Sequence, residues 1–334
     1  MEQISKHRCR RALVAIGAAA ALATVAACGS SSGDSTSGAK KVTIAYVPGV
    51  SNLGYFDTAA RGAKEQAKKY GYTVDYVAVT AYDSSVQNAA LNAELAKKPD
   101  FLLVSPVDEV AQQAAIARYH AAGIPVITVG GTLKDTSGIV SQILTDNFQG
   151  GELVADYLGE ALGGKGTVVA VNLAKGQTTL EDRVDGFASR LAAKYPGITV
   201  LPEQYGGGAA ADTQKFFRSY LLAHPEVDGV FGVAESAAEG ASAAVRALGK
   251  RDSIKIAAFD AAPEQVKSLK VGDVQMLSVS KPGTQLALAI DQVHAYLTGD
   301  KGSIAASTKV PNITVTAENV DSPSIAPFLY QVGK

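Results

Sequence analysis

The chain has no tryptophan, two cysteines, two methionines and four histidines among its 334 residues. Without tryptophan, any stacking against a ligand must come from the 13 tyrosines and 9 phenylalanines. His120, His224 and His294 fall on separate helical segments with no second ligand at metal spacing, which argues against a metal site. Cys9 and Cys28 both lie near the start, so no disulfide staples the body. Neither charge dominates: 31 Lys and Arg stand against 32 Asp and Glu. No basic face is implied, and nucleic acid is excluded as a partner. No apolar run is long enough to span a bilayer, since the run at residues 12–25 is about 14 residues against the ~20 a spanning helix needs.

That run is nevertheless informative. It follows a basic patch of Lys6, His7, Arg8, Arg10 and Arg11 and ends in Val25-Ala26-Ala27-Cys28-Gly29. A basic start, a short apolar stretch and small residues before a cut site make a secretory signal over residues 1–27. The Val-Ala-Ala-Cys ending resembles a bacterial lipobox, whose Cys receives a diacylglycerol. That resemblance implies an extracytoplasmic protein anchored to the cell membrane through Cys28. Arg10-Arg11 leaves the export route open between the general and twin-arginine systems. Removing Lys6, Arg8, Arg10, Arg11 and Glu2 with the signal leaves a body of about −4. Residues 28–41 carry Cys28 and a Ser/Gly/Thr-rich tether. The tether contains Gly29-Ser30-Ser31-Ser32-Gly33, a G-x-S-x-G match without the strand-to-helix elbow that a hydrolase needs.

The rest of the chain is too long for one core, and the composition of the whole chain, 47% hydrophobic and 19% charged, is that of a folded protein. Strand and helix patterns alternate. Strands are expected at 42–47, 73–79, 101–104 and 126–129, with helices at 56–70, 86–97 (capped by Ser84-Ser85) and 108–122 (capped by Asp108). A second series follows. Its helices fall at 151–162, 181–195, 212–223, 237–248, 263–271 and 285–297. Its strands fall at 167–171, 198–201, 229–233, 254–259 and 274–279. Strands alternating with helices argue parallel sheets covered by helices, and two series argue two similar doubly wound α/β lobes. Ligands bind at the carboxyl ends of such strands, so the cleft between the lobes is the expected site.

Seven short motifs occur in order: Tyr55-Phe56 with Gly62-Ala63-Lys64; Gly123-Ile124-Pro125-Val126-Ile127; Asp146-Asn147 with Gly150-Gly151; Arg183 ahead of Gly186-Phe187; Ala223-His224-Pro225 with Val230-Phe231; Ala258-Phe259-Asp260; and Lys281-Pro282. Together they resemble the type I periplasmic sugar-binding proteins of ABC importers, the ribose-binding-protein-like members in particular. The resemblance covers about residues 42–313. It implies a first lobe of residues 42–145 plus 281–309, a second of 146–280 plus 310–334, and three crossovers as a hinge, with Asp146, Asn147, Lys281 and Pro282 among the hinge residues. It implies a monomer without cofactor or metal that binds a small molecule and meets an ABC permease.

The same resemblance places ligand contacts at Tyr55 and Phe56 as an aromatic wall, and at Arg183 and Asp260 as charged hydrogen-bonding groups. Ser105, Glu235 and Ser280 fall at further pocket positions. The chain departs from the family where larger polar residues would stand: Gly130-Gly131, Ser105, Ala234 beside Glu235, Ser280, and the region of Gly208. The departures imply a wider pocket with fewer direct contacts, suited to a ligand bulkier than ribose or held through water. Glu235, Glu239 and Asp57 are candidate replacement acceptors. The ligand classes are a pentose or hexose, a polyol, a nucleoside or a furanosyl signal. Two other functions compare poorly and a third stays open. A transcriptional regulator would need a helix-turn-helix where the signal stands. An enzyme would need a nucleophile set, unless Asp260 and Glu235 acted as a glycosidase pair. A receptor reporting to a membrane sensor is compatible with the same sequence.

Overall fold

A computed structural model describes residues 41–333. The signal segment, Cys28 and nearly all of the tether lie outside the described residues. β1 (Thr43–Val47) leads to α1 (Gly54–Lys69), whose inward face carries Phe56, Ala59, Ala60, Ala63 and Ala67 at helical spacing. Gly71, at φ 71°, follows where α1 stops. β2 (Thr73–Tyr76) precedes α2 (Ser84–Leu95), and β3 (Phe101–Val104) precedes α3 (Gln113–Ala121). β4 (Val126–Val129) and β5 (Ser141–Thr145) complete this half, and both β3 and β4 are buried throughout. A strand covered on both faces has no polar alternation, and that is why these two are so legible in the sequence.

The second half runs α4 (Asn147–Ala161), β6 (Gly166–Asn172), α5 (Thr178–Lys194), β7 (Ile198–Val200) and β8 (Gln204–Tyr205). Then come α6 (Ala210–Ala223), β9 (Val227–Gly232), α7 (Glu235–Ala247), β10 (Lys255–Phe259), α8 (Pro263–Val271) and β11 (Met276–Val279). α9 (Pro282–Thr298) opens on proline and ends at Gly299, at φ 88°, as a proline start and glycine stop dictate. β12 (Ser307–Val310) and β13 (Ile313–Thr316) follow.

These elements form two lobes. The six-stranded sheet of the first has the order β12-β5-β4-β3-β1-β2, and the second has β13-β11-β10-β9-β6-β7 with β8 also paired to β6. Pairing is parallel throughout except for β13, which runs antiparallel to β11. Each sheet has apolar clusters on both faces, as a doubly wound sheet requires. The chain passes between the sheets three times: from β5 to α4, from β11 to α9, and from β12 to β13. Asp146 and Asn147 sit at the first passage and Lys281 and Pro282 at the second.

The caps expected for α2 and α3 are not the ones observed. α2 is capped by Asp83, whose carboxylate accepts from the amides of Ser85 (2.8 Å) and Val86 (3.1 Å), so Ser84 and Ser85 lie in the first turn instead. Asp108 does not begin α3. It closes a separate turn by accepting from Val110 (2.8 Å) and Ala111 (2.7 Å), and the helix starts five residues later.

Candidate ligand-binding cleft

Asp260 follows the last residue of β10 and has φ of 76°, a left-handed conformation that costs a non-glycine residue about 1–2 kcal/mol. Such strain at the carboxyl end of a central strand marks a side chain that is being aimed. It is not a helix cap: the amide of Ala262 at the start of α8 donates to Gln265 Oε1 (3.0 Å) instead. Asp260 Oδ1 accepts from the phenol of Tyr330 (2.9 Å) and the hydroxyl of Ser280 (3.3 Å), and Oδ2 lies 3.7 Å from Arg183 Nη1.

Arg183 comes from the second turn of α5. Its guanidinium lies flat on the Phe259 ring, 3.6 Å from the centroid. Nε donates to Asn147 Oδ1 (3.0 Å) and Nη1 to the carbonyl of Val233 (2.8 Å). Among the described residues, none accepts from Nη2. The backbone behind it is equally fixed. A Cβ on Gly151 of α4 would overlap the Arg183 carbonyl oxygen, so α4 and α5 touch main chain to main chain where Arg183 starts. Asn147, expected as a hinge residue, is thus also the group that orients Arg183.

Glu235 opens α7, half-buried. Burial, then the charges of Asp260 and Glu239, push its carboxyl up to about 7, although a helix N-terminus favours the anion. Glu239 is also raised, by burial first and then by Glu264. The second lobe therefore presents one guanidinium and several carboxyls.

The first lobe presents rings. Tyr55 and Phe56 sit at the start of α1, edge to face at 5.0 Å. Phe56 is mostly buried and stacks with Tyr82, a residue 61% exposed, whose phenol is raised by burial and lowered in smaller part by the Arg183 charge. Tyr55 donates to Gln285 Oε1 (3.0 Å), and Gln285 donates to Thr145 Oγ1 (2.7 Å). Burial, then the Asp260 charge, raises the Tyr55 phenol far above its ordinary range, so it remains a donor.

The glycines at 130 and 131 do not widen the pocket as expected. A Cβ on Gly130 would meet Tyr55 Oη at 2.7 Å, and one on Gly131 would overlap the carbonyl of Pro106. Tyr55 occupies the space that a side chain at 130 would take. Asp57 is not a replacement acceptor either: its two oxygens accept from Tyr76 Oη and the Gly333 amide, both at 2.9 Å. Ser105 is 4% exposed with its hydroxyl against Tyr46 Oη (3.2 Å). Ser280 is fully buried between Asp260 and Tyr330. The structure thus brings Tyr55, Arg183, Asp260 and Ser280 together and sets Ser105 apart behind β3.

Tyr82, Gln285 and Tyr330 were not expected from sequence. Tyr82 precedes the Asp83 cap in the loop between β2 and α2, where an exposed aromatic is the available signal. A groove of about 510 Å³ lined by Thr58, Arg61, Gly283 and Phe328 opens on another side of α1; neither Arg183 nor Asp260 lines it, so it is not part of this cleft. Among the described residues, no group of His, Cys, Asp and Glu could hold a metal ion.

The family model for the periplasmic binding protein domain matches residues 44–301. The ribose import binding protein of Escherichia coli (strain K12) is 29% identical over 263 residues, 78% of this chain and 86% of that protein. The D-apiose import binding protein of Actinobacillus succinogenes is 27% identical over 250 residues, 74% of this chain and 80% of that protein. An ABC transporter solute-binding protein from Agrobacterium vitis, solved with bound α-D-tagatopyranose, is 30% identical with a TM-score of 0.79, covering 87% of this chain and 100% of that one. Because the match runs through both sheets and the cleft between them, this chain belongs to the periplasmic binding protein domain family.

Proposed function

We propose that this protein is an extracytoplasmic, lipid-anchored solute-binding protein that captures a sugar or sugar-like small molecule and delivers it to an ABC transporter permease. The carrying observation is Arg183 of α5 facing Asp260 at the end of β10 in the second lobe, set against the ring wall of Tyr55 and Phe56 in the first. Aromatic faces suit the C–H faces of a sugar. A fixed guanidinium and carboxylate suit its hydroxyls, because charge-assisted hydrogen bonds are about twice as strong as neutral ones. With Tyr55 filling the space at Gly130, a monosaccharide or polyol fits the reading better than a larger ligand. The sugar-import names of the relatives support the same class. The protein binds and releases its ligand unchanged.

Binding closes the lobes about the passages at 145–147, 280–282 and 309–311. Cys28 holds the tether to the membrane. A thermal-shift screen across pentoses, hexoses, polyols, nucleosides and furanosyl compounds tests the ligand class. A ligand at 100 times its dissociation constant stabilises by about 2.7 kcal/mol, a shift of several degrees. Stabilisation by nucleosides alone, or turnover of glycosides, would replace this reading. Cys28→Ala should release a folded, binding-competent protein from the membrane fraction, and retention after signal cleavage would remove the anchor.

A further inference from the structure

The C-terminal tail joins the binding groups by a route that none of the ordered motifs includes. After β13 it makes a short 3-10 turn at Ala326–Phe328 and returns to the cleft. The amide of Tyr330 donates to the carbonyl of Ala261 (3.0 Å), one residue past Asp260. The next residues leave for the other lobe. Gln331 donates its amide to Thr58 Oγ1 (3.0 Å) and pairs its side chain with Arg61, and the Gly333 amide donates to Asp57 Oδ2 (2.9 Å). All three partners are on α1, the helix that carries Tyr55 and Phe56. The tail is therefore a fourth passage between lobes, held by hydrogen bonds.

Tyr330 is 4% exposed and meets the Tyr55 ring edge-on at 5.8 Å. Its Cβ packs over Gly54, where an added methyl would sit 3.1 Å away. A phenylalanine would bury the same apolar surface. The hydroxyl has its partners in Asp260 Oδ1, at 2.9 Å, and in Ser280. A buried hydroxyl is costly unless it is satisfied, so its place beside one carboxylate is a specific arrangement. Burial, then the Asp260 charge, raises the phenol, which keeps it a donor at any working pH. Arg183 faces the opposite carboxylate oxygen at 3.7 Å. With one oxygen held by the tail and the other facing α5, the carboxylate plane cannot turn freely.

We propose that Tyr330 is a positioning residue for ligand recognition: its phenol fixes the orientation of the Asp260 carboxylate, and the tail that carries it straps the second lobe to α1 of the first. The proposal rests on the reading of Asp260 as a ligand-binding group. Fixing a carboxylate before the ligand arrives lowers the cost of ordering it on binding.

The test is a double-mutant cycle read by titration calorimetry with D-ribose, D-apiose, D-allose, D-tagatose and D-arabinose as probes, on wild type, Tyr330→Phe, Asp260→Asn and the double variant. Removing a hydrogen bond to a charged group predicts about tenfold weaker binding in Tyr330→Phe. A residue that acts through Asp260 loses its effect once Asp260 is changed, so the double variant should bind within about twofold of Asp260→Asn. Thr58→Val removes a strap anchor without touching the carboxylate and should cost less than Tyr330→Phe. Wild-type affinity in Tyr330→Phe, or a full second loss in the Asp260→Asn background, overturns the positioning role while leaving sugar binding intact. A large drop in melting point at unchanged affinity assigns the hydroxyl to stability alone and also overturns it. Failure of wild type to bind any sugar or polyol, these five and those of the thermal-shift screen alike, would remove the sugar-binding reading itself, and the proposal with it.

Discussion

The two faces of the cleft are built on opposite plans from nearly the same topology. On the first lobe, the side chains at the strand ends are small or turned inward (Gly130, Gly131, Ser105), and the chemistry it offers is the half-buried ring of Tyr55 and the exposed Tyr82, backed by the buried ring of Phe56. On the second, Arg183, Asp260 and Glu235 converge, and Arg183 and Asp260 are held by neighbours on other elements. A ring needs only a flat contact and tolerates small errors of placement. A hydrogen bond to a hydroxyl weakens steeply with angle and distance. The scaffolding follows that difference. Arg183 is fixed by Phe259, Asn147, Val233 and the main-chain contact at Gly151, whereas Tyr82 stands 61% exposed in a loop.

The comparison breaks first at Arg183. Arg183→Ala leaves the Asp260 carboxylate partly buried without its cation, an arrangement that costs about 3–5 kcal/mol when one partner of a buried pair is removed. Both affinity and melting point should fall, with affinity down roughly 100-fold or more. Calorimetry and a thermal melt on one preparation check this, and an unchanged melting point would mean the network does not hold the lobe together. Phe56→Ala should match it in stability, at about 3–5 kcal/mol for a buried ring, with a smaller direct effect on binding.

Asp260→Asn weights recognition over stability. Asparagine tolerates the left-handed backbone and keeps the side chain's shape, so the melting point should fall less than in Arg183→Ala while affinity falls about 10- to 100-fold. Tyr82→Ala probes the other face. Losing an exposed stacking ring should cost about 0.5–1.5 kcal/mol of binding and almost no stability. If Tyr82→Ala cost more affinity than Asp260→Asn, the division between rings and charges would be reversed.

The smallest effect is a pH dependence. The Glu235 carboxyl is raised on folding to about 7, so the folded protein holds this proton more tightly than the unfolded chain. Its contribution to stability is full below the unfolded value near 4.5 and is lost as pH rises through about 7. Glu235→Gln keeps the shape without the charge. It should raise the melting point by a few degrees at pH 8 and leave it unchanged at pH 4. Equal shifts at both values would assign the effect to packing.

Much of the fold was legible because buried parallel strands announce themselves. Phe101–Val104 and Val126–Val129 are uninterrupted apolar runs, and α8 begins at Pro263 and ends before Gly272 as its sequence requires. β5 was missed because Ser141, Gln142 and Thr145 interrupt its apolar pattern, and β12 and β13 because they are short and flank Pro311. In the site, Arg183 and Asp260 were legible through ordered motifs and do meet in space. Their support was not. Asn147 bonds Arg183 across 36 positions, and Tyr330 reaches Asp260 across 70, in a tail beyond the recognisable motifs. Periodicity reports which face of an element is buried; it carries no information about which distant side chain will complete a charge network.

The order of strands in the two sheets has a consequence for biogenesis. β5 of the first lobe pairs with β12, joining Thr145 to Val310, and β11 of the second pairs with β13. Neither sheet can be completed until nearly the whole chain has been synthesised. Contacts so distant in sequence make for slow folding, because the loop must close before the pairing rewards it. Under the proposed export of this chain, that delay would keep it threadable for a translocation channel, with both lobes locking together only once their final strands had arrived on the far side.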